Sequence, residues 1–357
     1  MGSISQTIRD FNAMRDGFDA LLGDHGRLTS LSGFGSNPGD LDAFCYIPAD
    51  LPPASPLVVV LHGCGQNAAG YDSASGWSAL ADRAGFALLF PQQRAANNPN
   101  RCFNWFTRSD TKRDSGEALS IRQMIDAMVV GHAIDTTRIF VTGLSAGGAM
   151  TSVMLATYPE LFAGGAIIAG LPYGTALGVQ QALDRMKGQG GPDMDALPDL
   201  VRDASSHRGV WPRISLWHGT ADTTVVPANA EAILSQWRTL HGVADRPAQE
   251  DSVDGYPHRV WTDAKGRAVI EEYSITNMGH GTPLSTRGEE ALGQAAPYML
   301  EAGISSTHHI ADFWGIAARP KPNAAGRVGR QEADRKTSSN GVAAIIERAL
   351  RSAGLMS

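Results

Sequence analysis

The stretch VTGLSAGGAM, residues 141–150, places Ser145 among small residues that would weaken a regular helix or strand. The run RIFVT before it, residues 138–142, is β-branched and aromatic, as in a buried strand. After it, residues 149–156 carry helical spacing up to Tyr158 and Pro159. A strand, a tight turn and a helix are therefore predicted to meet at Ser145.

The pentapeptide from Gly143 to Gly147 matches the pattern G-x-S-x-G. That pattern holds a serine on a strained turn, with its hydroxyl exposed above the end of a sheet. The neighbours must be small because a side chain there would collide with the adjacent strand and helix. A phosphate-cradling turn is an alternative, but the stretch lacks the lysine of a P-loop and the spacing of a dinucleotide fingerprint. Since short motifs recur by chance, the partners of the serine must decide between a nucleophile and a plain strand-to-helix corner.

Strands alternate with helices over most of the chain after Leu41. Predicted strands are 43–47, 57–62, 86–90, 138–142, 162–169, 214–217 and 268–276, and predicted helices are 74–84, 115–130, 149–156 and 228–241. Residues 92–112 are polar and irregular, and residues 187–212 form a Gly-rich and Pro-rich insertion. The alternation predicts an α/β protein with a mostly parallel central sheet and helices on both faces. Ligands of such sheets bind at the carboxyl ends of the strands, where Ser145 lies.

A serine hydroxyl needs a base to take its proton and a carboxylate to orient that base. In the α/β-hydrolase fold the acid follows the serine along the chain, and the histidine comes last. The predicted strand 214–217 runs into HGTADTTV, which places Asp222 on a loop at a carboxyl end. The predicted strand 268–276 is followed by NMGHGTP, which places His280 on a glycine-flanked loop. Ser145, Asp222 and His280 are therefore the candidate catalytic residues.

Other histidines and aspartates fit this topology less well. His218 ends a strand before a glycine, which favours a turn or packing role, and His258 precedes the last predicted strand. His308 and His309 fall in a predicted terminal helix. The remaining acidic candidates occupy polar loops, where most carboxylates are solvated: Asp245, Asp251, Asp254 and Asp263. Asp222 itself could be a turn residue, so the agreement of three positions with one topology carries the prediction.

The oxyanion of a tetrahedral intermediate needs hydrogen-bond donors. The backbone N–H of Ala146, directly after the serine, is the first candidate. The second should follow an early strand, and the run VVVLH at 58–62 leads straight into Gly63, Cys64, Gly65 and Gln66. We expect the N–H of Cys64 to be that donor. An ordinary glycine turn is equally consistent with these four residues alone.

Composition bounds the remaining choices. The chain has 357 residues, 43% hydrophobic and 18% charged, and one domain of roughly 250 residues with terminal additions accounts for it. A net charge of −6 gives no basic footprint for nucleic acid. No apolar run approaches the roughly 20 residues that span a bilayer. The histidines show no metal-ligand spacing such as H-E-x-x-H, so neither a metal nor an organic cofactor is expected. The three cysteines are too few for a disulfide scaffold.

The two ends of the chain are predicted to be amphipathic helices. Apolar residues recur at helical spacing near the N-terminus, at Ile4, Ile8, Phe11, Phe18, Leu21 and Leu22, and near the C-terminus, at Val342, Ile345, Ile346, Ala349, Leu350 and Ala353. We divide the chain into a helix and lead-in at 1–35, an α/β-hydrolase catalytic domain at 36–317, and a basic linker with a helix at 318–357. The terminal helices would pack on this chain or form a homo-oligomer contact. The chain start lacks the pattern of a secretory signal, which leaves a cytoplasmic location and a removed leader both open.

Taken in order, LHGCGQ, RCFNWF, GLSAGGAM, HGTADTTV and GHGTP resemble the polyhydroxybutyrate depolymerase family of esterases. That family is related to the feruloyl and acetylxylan carbohydrate esterases. The resemblance runs from about residue 40 to IADFWGI at 310–316. It implies a serine hydrolase that works through an acyl-serine intermediate on poly(3-hydroxybutyrate) or hydroxyalkanoate oligomers, or on ester-decorated plant polysaccharide.

The resemblance also assigns roles to single residues. It implies a disulfide between Cys64 and Cys102. This link would attach the loop at residues 63–66, called here the oxyanion loop, to the irregular segment 92–112; two buried free thiols are the alternative in a reducing cytoplasm. It places Trp105 at the entrance, where it would stack on the acyl group, although buried aromatics more often serve packing. Gln66 is a second candidate substrate contact.

Departures from the family keep other functions open. Its secreted members carry leaders and commonly a separate polymer-binding module, and residues 319–355 are too few for such a module. Soluble oligomers and small esters are therefore favoured over crystalline polymer. Some relatives cleave amide bonds in polyaspartate, but the overall charge gives no sign of a basic groove for a polyanion. A noncatalytic binding protein on a hydrolase scaffold is the alternative outside enzymes.

Overall fold

The computed structural model describes residues 26–288 and 291–318. In these residues the strands are β1 (Thr29–Ser30), β2 (Asp42–Tyr46), β3 (Ser55–Leu61), β4 (Ala87–Gln92), β5 (Ile134–Leu144), β6 (Gly164–Ile168), β7 (Arg213–Gly219), β8 (Gln249–Val253), β9 (Tyr256–Thr262), β10 (Ala268–Ile275), β11 (Thr282–Leu284) and β12 (Met299–Glu301). The α-helices are α1 (Ala68–Ser75), α2 (Trp77–Ala84), α3 (Arg108–Thr111), α4 (Gly116–His132), α5 (Ala146–Thr157), α6 (Val179–Met186), α7 (Leu197–Arg202), α8 (Ala228–His241) and α9 (Ser306–Trp314). Short 3-10 turns lie at Pro159–Leu161 and Met194–Ala196.

A ten-stranded sheet organises these elements in the order β1-β2-β4-β3-β5-β6-β7-β10-β9-β8. Neighbours from β4 to β10 pair in parallel, whereas both edges of the sheet are antiparallel. The carboxyl ends of β3, β5, β7 and β10 therefore meet at one edge. The predicted α/β-hydrolase architecture is confirmed, with a mostly parallel centre and helices on both faces.

The central strands are apolar over their whole length because both of their faces are covered. Every residue of β3, with the sequence SPLVVVL, is buried, as expected for a parallel strand between two helical layers. On one face, Val59 packs in a core with Met124 of α4 and Met150 of α5. On the other, Val58 packs in a core with Trp77 of α2 and Trp314 of α9.

Several predicted elements differ in extent from the observed ones. The predicted helix 74–84 is two helices, α1 and α2, because Gly76 at φ +76° ends the first of them. The insertion 187–212 is partly helical, since it contains α7, and α6 precedes it. The strand predicted at 268–276 is followed by the short strands β11 and β12. Helix α8 has the predicted bounds, 228–241.

The hairpin β8–β9 was not predicted, and the expectation that Asp251 lies in a loop was wrong. Asp251 is in β8, opposite His258 in β9. The sequence of β8, QEDSV, is almost wholly exposed at the sheet edge, so it lacks the alternation of apolar residues that marks a half-buried strand.

The two amphipathic helices predicted at the ends of the chain, with residues 4–22 and 342–353, and the basic linker lie outside the described residues, so their packing and any oligomer contact stay predictions. Part of the lead-in is described: β1, at residues 29–30, pairs with β2 at the edge of the sheet. Within residues 26–288 and 291–318, no helix is both long enough and apolar enough to cross a membrane.

Helix α5 crosses the end of β3 at very short range. A Cβ on Gly147 would lie 2.2 Å from the carbonyl oxygen of Leu61, and one on Gly143 would lie 2.8 Å from the same oxygen. These contacts involve backbone on both sides, so neither element can yield by a side-chain rotation. Glycine at these positions sets how closely the helix approaches the strand.

Replacing Gly147 with alanine should destabilise the protein by about 3 kcal/mol or more, because the added methyl group overlaps a backbone oxygen. The matched control is Gly131→Ala in α4, where a Cβ would meet nothing within 4 Å. That change should stabilise the protein by about 0.5–1 kcal/mol. Chemical denaturation of both variants measures the difference; equal stabilities would show that the close crossing is not present.

Candidate active site

Ser145 occupies a strained turn between β5 and α5. Its backbone has φ +57° and ψ −114°, a combination that non-glycine residues adopt at a cost of roughly 1–3 kcal/mol. Neighbouring hydrogen bonds hold it there: the N–H of Ser145 donates to Ile168 O at 2.9 Å, and its carbonyl accepts from Ala149 N at 2.8 Å. The turn presents the side chain at the carboxyl edge of the sheet.

Two further loops bring His280 and Asp222 to this serine. His280 Nε2 lies 2.8 Å from Ser145 Oγ, and His280 Nδ1 lies 2.7 Å from Asp222 Oδ2. Because an ionised carboxylate only accepts hydrogen bonds, Nδ1 carries the proton and Nε2 presents its lone pair to the hydroxyl. The structure thus brings together the three residues that the topology singled out.

Asp222 is fixed on its other side by backbone amides. Its Oδ1 accepts from Thr224 N at 2.8 Å and from Val225 N at 2.9 Å. Burial opposes the charge on Asp222, but the hydrogen bond from His280 and the nearby imidazoles of His280 and His218 hold its pKa below the ordinary value. The carboxylate is therefore ionised at neutral pH and favours a proton on the imidazole.

The other histidines that the structure describes are not hydrogen-bonded to Ser145. His218 Nε2 lies 2.8 Å from Val225 O, and burial lowers the pKa of this imidazole, so it is a neutral packing group behind the acid loop. His258 pairs with Asp251 across the hairpin at 2.8 Å. His309 lies in α9, as predicted, with its Nε2 3.0 Å from Asp254 Oδ2.

The loop after β3 lies beside the serine, and its backbone N–H groups differ in whether they are hydrogen-bonded within the protein. The N–H of Gly63 donates to Gln66 Oε1 at 2.8 Å, and the N–H of Gly65 donates to Asn100 O at 2.7 Å. Within the described residues, by contrast, the N–H groups of Cys64 and Ala146 donate to no protein acceptor. A small hollow beside the serine is lined by Gly63, Cys64, Gln66, Leu144, Ser145, His280 and Tyr298. Cys64 lines this hollow, and Ala146 directly follows Ser145, which also lines it.

The two candidate substrate contacts have different surroundings. Gln66 lines the hollow, but it is 1% exposed and its side-chain oxygen Oε1 already accepts a hydrogen bond from the N–H of Gly63. Trp105 is 8% exposed and packs edge-on against Phe106, with ring centroids 5.5 Å apart. It is not among the described residues that line the hollow. A substrate contact stays a prediction for both residues.

The oxyanion loop is attached covalently to the irregular segment that follows β4. Cys64 and Cys102 form a disulfide with Cα atoms 4.2 Å apart, the pair that the family resemblance implies. The buried Cys45 is the free thiol. Together with the bond from Gly65 to Asn100, the disulfide limits how far the amide of Cys64 can move.

Sequence reasoning did not identify two residues of this region. Tyr298 lines the hollow, with its ring 5.7 Å from that of His280; no motif surrounds it in the sequence. His62 lies at the base of the oxyanion loop, with Nδ1 2.8 Å from Gly63 O and Nε2 accepting from Gln93 N at 3.1 Å. A histidine directly before the glycine of LHGCGQ was the available signal for His62.

A strained serine, an imidazole and a carboxylate at the carboxyl edge of a mostly parallel sheet define a hydrolase of the α/β-hydrolase fold. The chain belongs to the esterase PHB depolymerase family, whose family model matches residues 43–254. It is therefore a carboxylic ester hydrolase, like the relatives it resembles.

Three comparisons describe those relatives. Poly(3-hydroxyalkanoate) depolymerase C of Paucimonas lemoignei is 47% identical over 295 residues, which cover 81% of this chain and 70% of the relative. Acetylxylan esterase of Coprinopsis cinerea is 31% identical, covering 73% of this chain and 70% of that protein. The solved acetyl xylan esterase from Aspergillus awamori shares the fold, with a TM-score of 0.69 at 23% identity, over 82% of this chain and 100% of the other.

Removing the disulfide should lower the free energy of unfolding by about 2–5 kcal/mol. Cys64→Ser and Cys102→Ser should have similar effects, and the double variant should lose no more than either single one, since both remove the same link. Thiol titration of the denatured, unreduced wild type should detect only the thiol of Cys45. Three titratable thiols, or additive losses in the double variant, would contradict the link.

Proposed function

We propose that this ester hydrolase works through an acyl-serine intermediate and acts on oligomers of 3-hydroxyalkanoates. The observation that carries the mechanism is the hydrogen-bonded line from Ser145 through His280 to Asp222, with steps of 2.8 and 2.7 Å. Beside it, two backbone amides have no protein acceptor in the described residues. Noncatalytic binding on a hydrolase scaffold is not retained, because the relatives are esterases and this line is complete.

In the first half of the reaction, Ser145 Oγ attacks the ester carbonyl carbon while its proton passes to His280 Nε2. Asp222 stabilises the imidazolium that forms. The carbonyl oxygen becomes an oxyanion, which accepts hydrogen bonds from the N–H groups of Cys64 and Ala146. Collapse of this intermediate breaks the bond to the alcohol oxygen, which takes the proton from His280 and leaves an acyl-serine.

The second half of the reaction repeats these steps with water. His280, again neutral, takes a proton from a water molecule as that water attacks the acyl carbon. The second oxyanion uses the same two amides. Its collapse releases the carboxylic acid, and the proton on His280 returns to Ser145 Oγ. The net reaction consumes the ester and one water molecule and releases an alcohol and a carboxylic acid.

Similarity to the relatives supports the substrate class. The depolymerase of Paucimonas lemoignei is named for poly(3-hydroxyalkanoate) and is 47% identical. The second candidate class is feruloylated or acetylated plant polysaccharide, because a feruloyl esterase B of Talaromyces stipitatus is 29% identical over 72% of this chain, and an acetylxylan esterase is 31% identical. The higher identity favours the polyester oligomers.

Ser145→Ala should abolish labelling by a fluorophosphonate probe and lower kcat for p-nitrophenyl butyrate by about 10⁴-fold or more, because no other group forms the acyl-enzyme. The matched control is Ser152→Ala in α5, the helix that follows the turn, where the buried hydroxyl donates to Gly148 O at 3.4 Å. That variant should label like the wild type. Undiminished labelling of Ser145→Ala would assign the nucleophile to another residue.

A substrate panel tests the proposed class. Oligomers of 3-hydroxybutyrate, methyl ferulate, acetylated xylan and polyaspartate should be compared by kcat/KM with one enzyme preparation. We expect the hydroxybutyrate oligomers to give the highest value and the amide-linked polyaspartate to give none above background. A higher kcat/KM for methyl ferulate or acetylated xylan would transfer the assignment to the carbohydrate esterases.

A further inference from the structure

A carboxylate that the proposed reaction does not use is buried near the oxyanion loop. Glu117 lies in the first turn of α4 and is 1% exposed. Burying a charged group is unfavourable unless hydrogen bonds replace its lost hydration. The groups that donate hydrogen bonds to Glu117 therefore show which part of the protein its carboxylate holds in place.

These donors all come from the irregular segment after β4. Glu117 Oε1 accepts from Gln93 Nε2 at 2.5 Å and from Asn104 Nδ2 at 2.8 Å. Glu117 Oε2 accepts from the backbone N–H of Asn104 at 2.9 Å. An ionised carboxylate can accept all three bonds, because both oxygens offer only lone pairs. The carboxylate thus anchors both ends of the segment 93–104.

Gln93 carries the connection from Glu117 towards the active site. Its Nε2 also donates to Cys102 O at 3.1 Å, at the residue bonded to Cys64. Its backbone N–H donates to His62 Nε2 at 3.1 Å. Because that nitrogen accepts, the proton of the neutral imidazole must lie on Nδ1, which donates to Gly63 O at 2.8 Å.

The hydrogen bond from His62 to Gly63 O fixes the direction of the Cys64 N–H, which is a candidate oxyanion donor. The carbonyl of Gly63 and the N–H of Cys64 belong to one peptide unit, which is planar, and in its trans form they point in opposite directions. A hydrogen bond from His62 to Gly63 O, reinforced by one from Gln66 N at 3.2 Å, holds the carbonyl side of that plane. The N–H of Cys64 on the other side therefore points away from the buried imidazole of His62.

We propose that ionised Glu117 is a positioning residue for the oxyanion hole: through Gln93 and His62 it fixes the Gly63–Cys64 peptide so that the Cys64 N–H meets the developing oxyanion. This inference rests on the proposed acyl-serine mechanism. Glu117 touches no reacting atom, and its effect on the transition state passes through the backbone of the loop.

The charged groups around these hydrogen bonds make the positioning of the Cys64 N–H sensitive to pH. Burial raises the pKa of Glu117 to about 8, with a contribution from Asp110 in α3, against the opposing hydrogen bonds from Asn104 and Gln93. Burial lowers the pKa of His62 to about 4, with a contribution from Arg101, so the imidazole stays neutral when Glu117 titrates. Arg94, also in the segment, is paired with Asp40.

Protonation of Glu117 should weaken its hydrogen bonds to Gln93 and Asn104, because the new hydrogen occupies an oxygen at which an N–H already points. At least one of the three donors then loses its acceptor. The positioning is therefore complete above about pH 8 and is lost as the pH falls through that value. The kcat/KM of the wild type should show an ionisation there.

The test is Glu117→Gln, which keeps the shape of the side chain but turns an NH₂ group towards one of the donors. At about pH 9, where most Glu117 is ionised, we expect kcat for p-nitrophenyl butyrate to fall about 10- to 100-fold, less than the roughly 10²–10³-fold loss on removing an oxyanion donor outright. The difference from the wild type should shrink as the pH falls through about 8. KM should stay within about twofold. Affinity for butylboronic acid, whose serine adduct places an oxygen in the oxyanion hole, should fall by the same factor as kcat.

The matched control is Asp126→Asn, the same chemical change on the exposed side of α4, where Asp126 pairs with Arg122 at 3.0 Å. It should leave kcat, the boronate affinity and the pH profile unchanged. In Glu117→Gln the ionisation near pH 8 should be absent. A folded Glu117→Gln variant with wild-type kcat and boronate affinity at about pH 9 would overturn the proposal.

A second variant covers the case in which Glu117→Gln does not fold. Asn104→Ala removes one donor to the ionised carboxylate, so the pKa of Glu117 should rise and the ionisation in kcat/KM should move to higher pH. An unshifted ionisation would also overturn the proposal. A wild type that hydrolyses no ester would instead refute the proposed function itself, which separates the two failures.

Discussion

The close crossing of α5 over the end of β3 is the constraint on which the rest of the site depends. Leu61 pairs with Gly143 in the sheet, and Gly147 lies against the carbonyl of Leu61. The chain leaves β3 towards Cys64 and leaves β5 at Ser145, so two neighbouring strand ends deliver the nucleophile and both candidate oxyanion amides. The register of one parallel strand pair thus sets the geometry around the attacked carbonyl. A bulkier residue at the crossing would separate the serine from the loop it works with.

The acid and the base depend on a second strand pair in the same way. Tyr273 of β10 lies opposite Trp217 of β7, and the two loops beyond stay in contact, since Ala221 N donates to Met278 O at 3.0 Å. Asp222 and His280 are therefore fixed relative to each other before they meet the serine. The imidazole then has only to reach Ser145 across the end of β6. Both halves of the site are positioned by pairing between the backbones of parallel strands.

Much of this arrangement follows from the sequence, and its limits have physical reasons. The elbow, the acid and the histidine could be located because strand ends and glycine-rich turns leave local patterns, and parallel strands end at one edge. The edge strand β8 was not predicted because its exposed polar residues show no alternation of apolar and polar side chains. The links from Glu117 through Gln93 to His62 join residues far apart in sequence through an irregular segment. No periodicity encodes such contacts, so only coordinates reveal them.

The most direct measurement is a crystal structure of the protein after reaction with an alkyl fluorophosphonate. We expect phosphorus bonded to Ser145 Oγ and His280 Nε2 within hydrogen-bond distance of that oxygen. One phosphoryl oxygen should lie about 2.7–3.1 Å from the amide nitrogens of both Cys64 and Ala146. Phosphorus on another residue would contradict the proposed mechanism. So would a phosphoryl oxygen that faces solvent and touches neither amide.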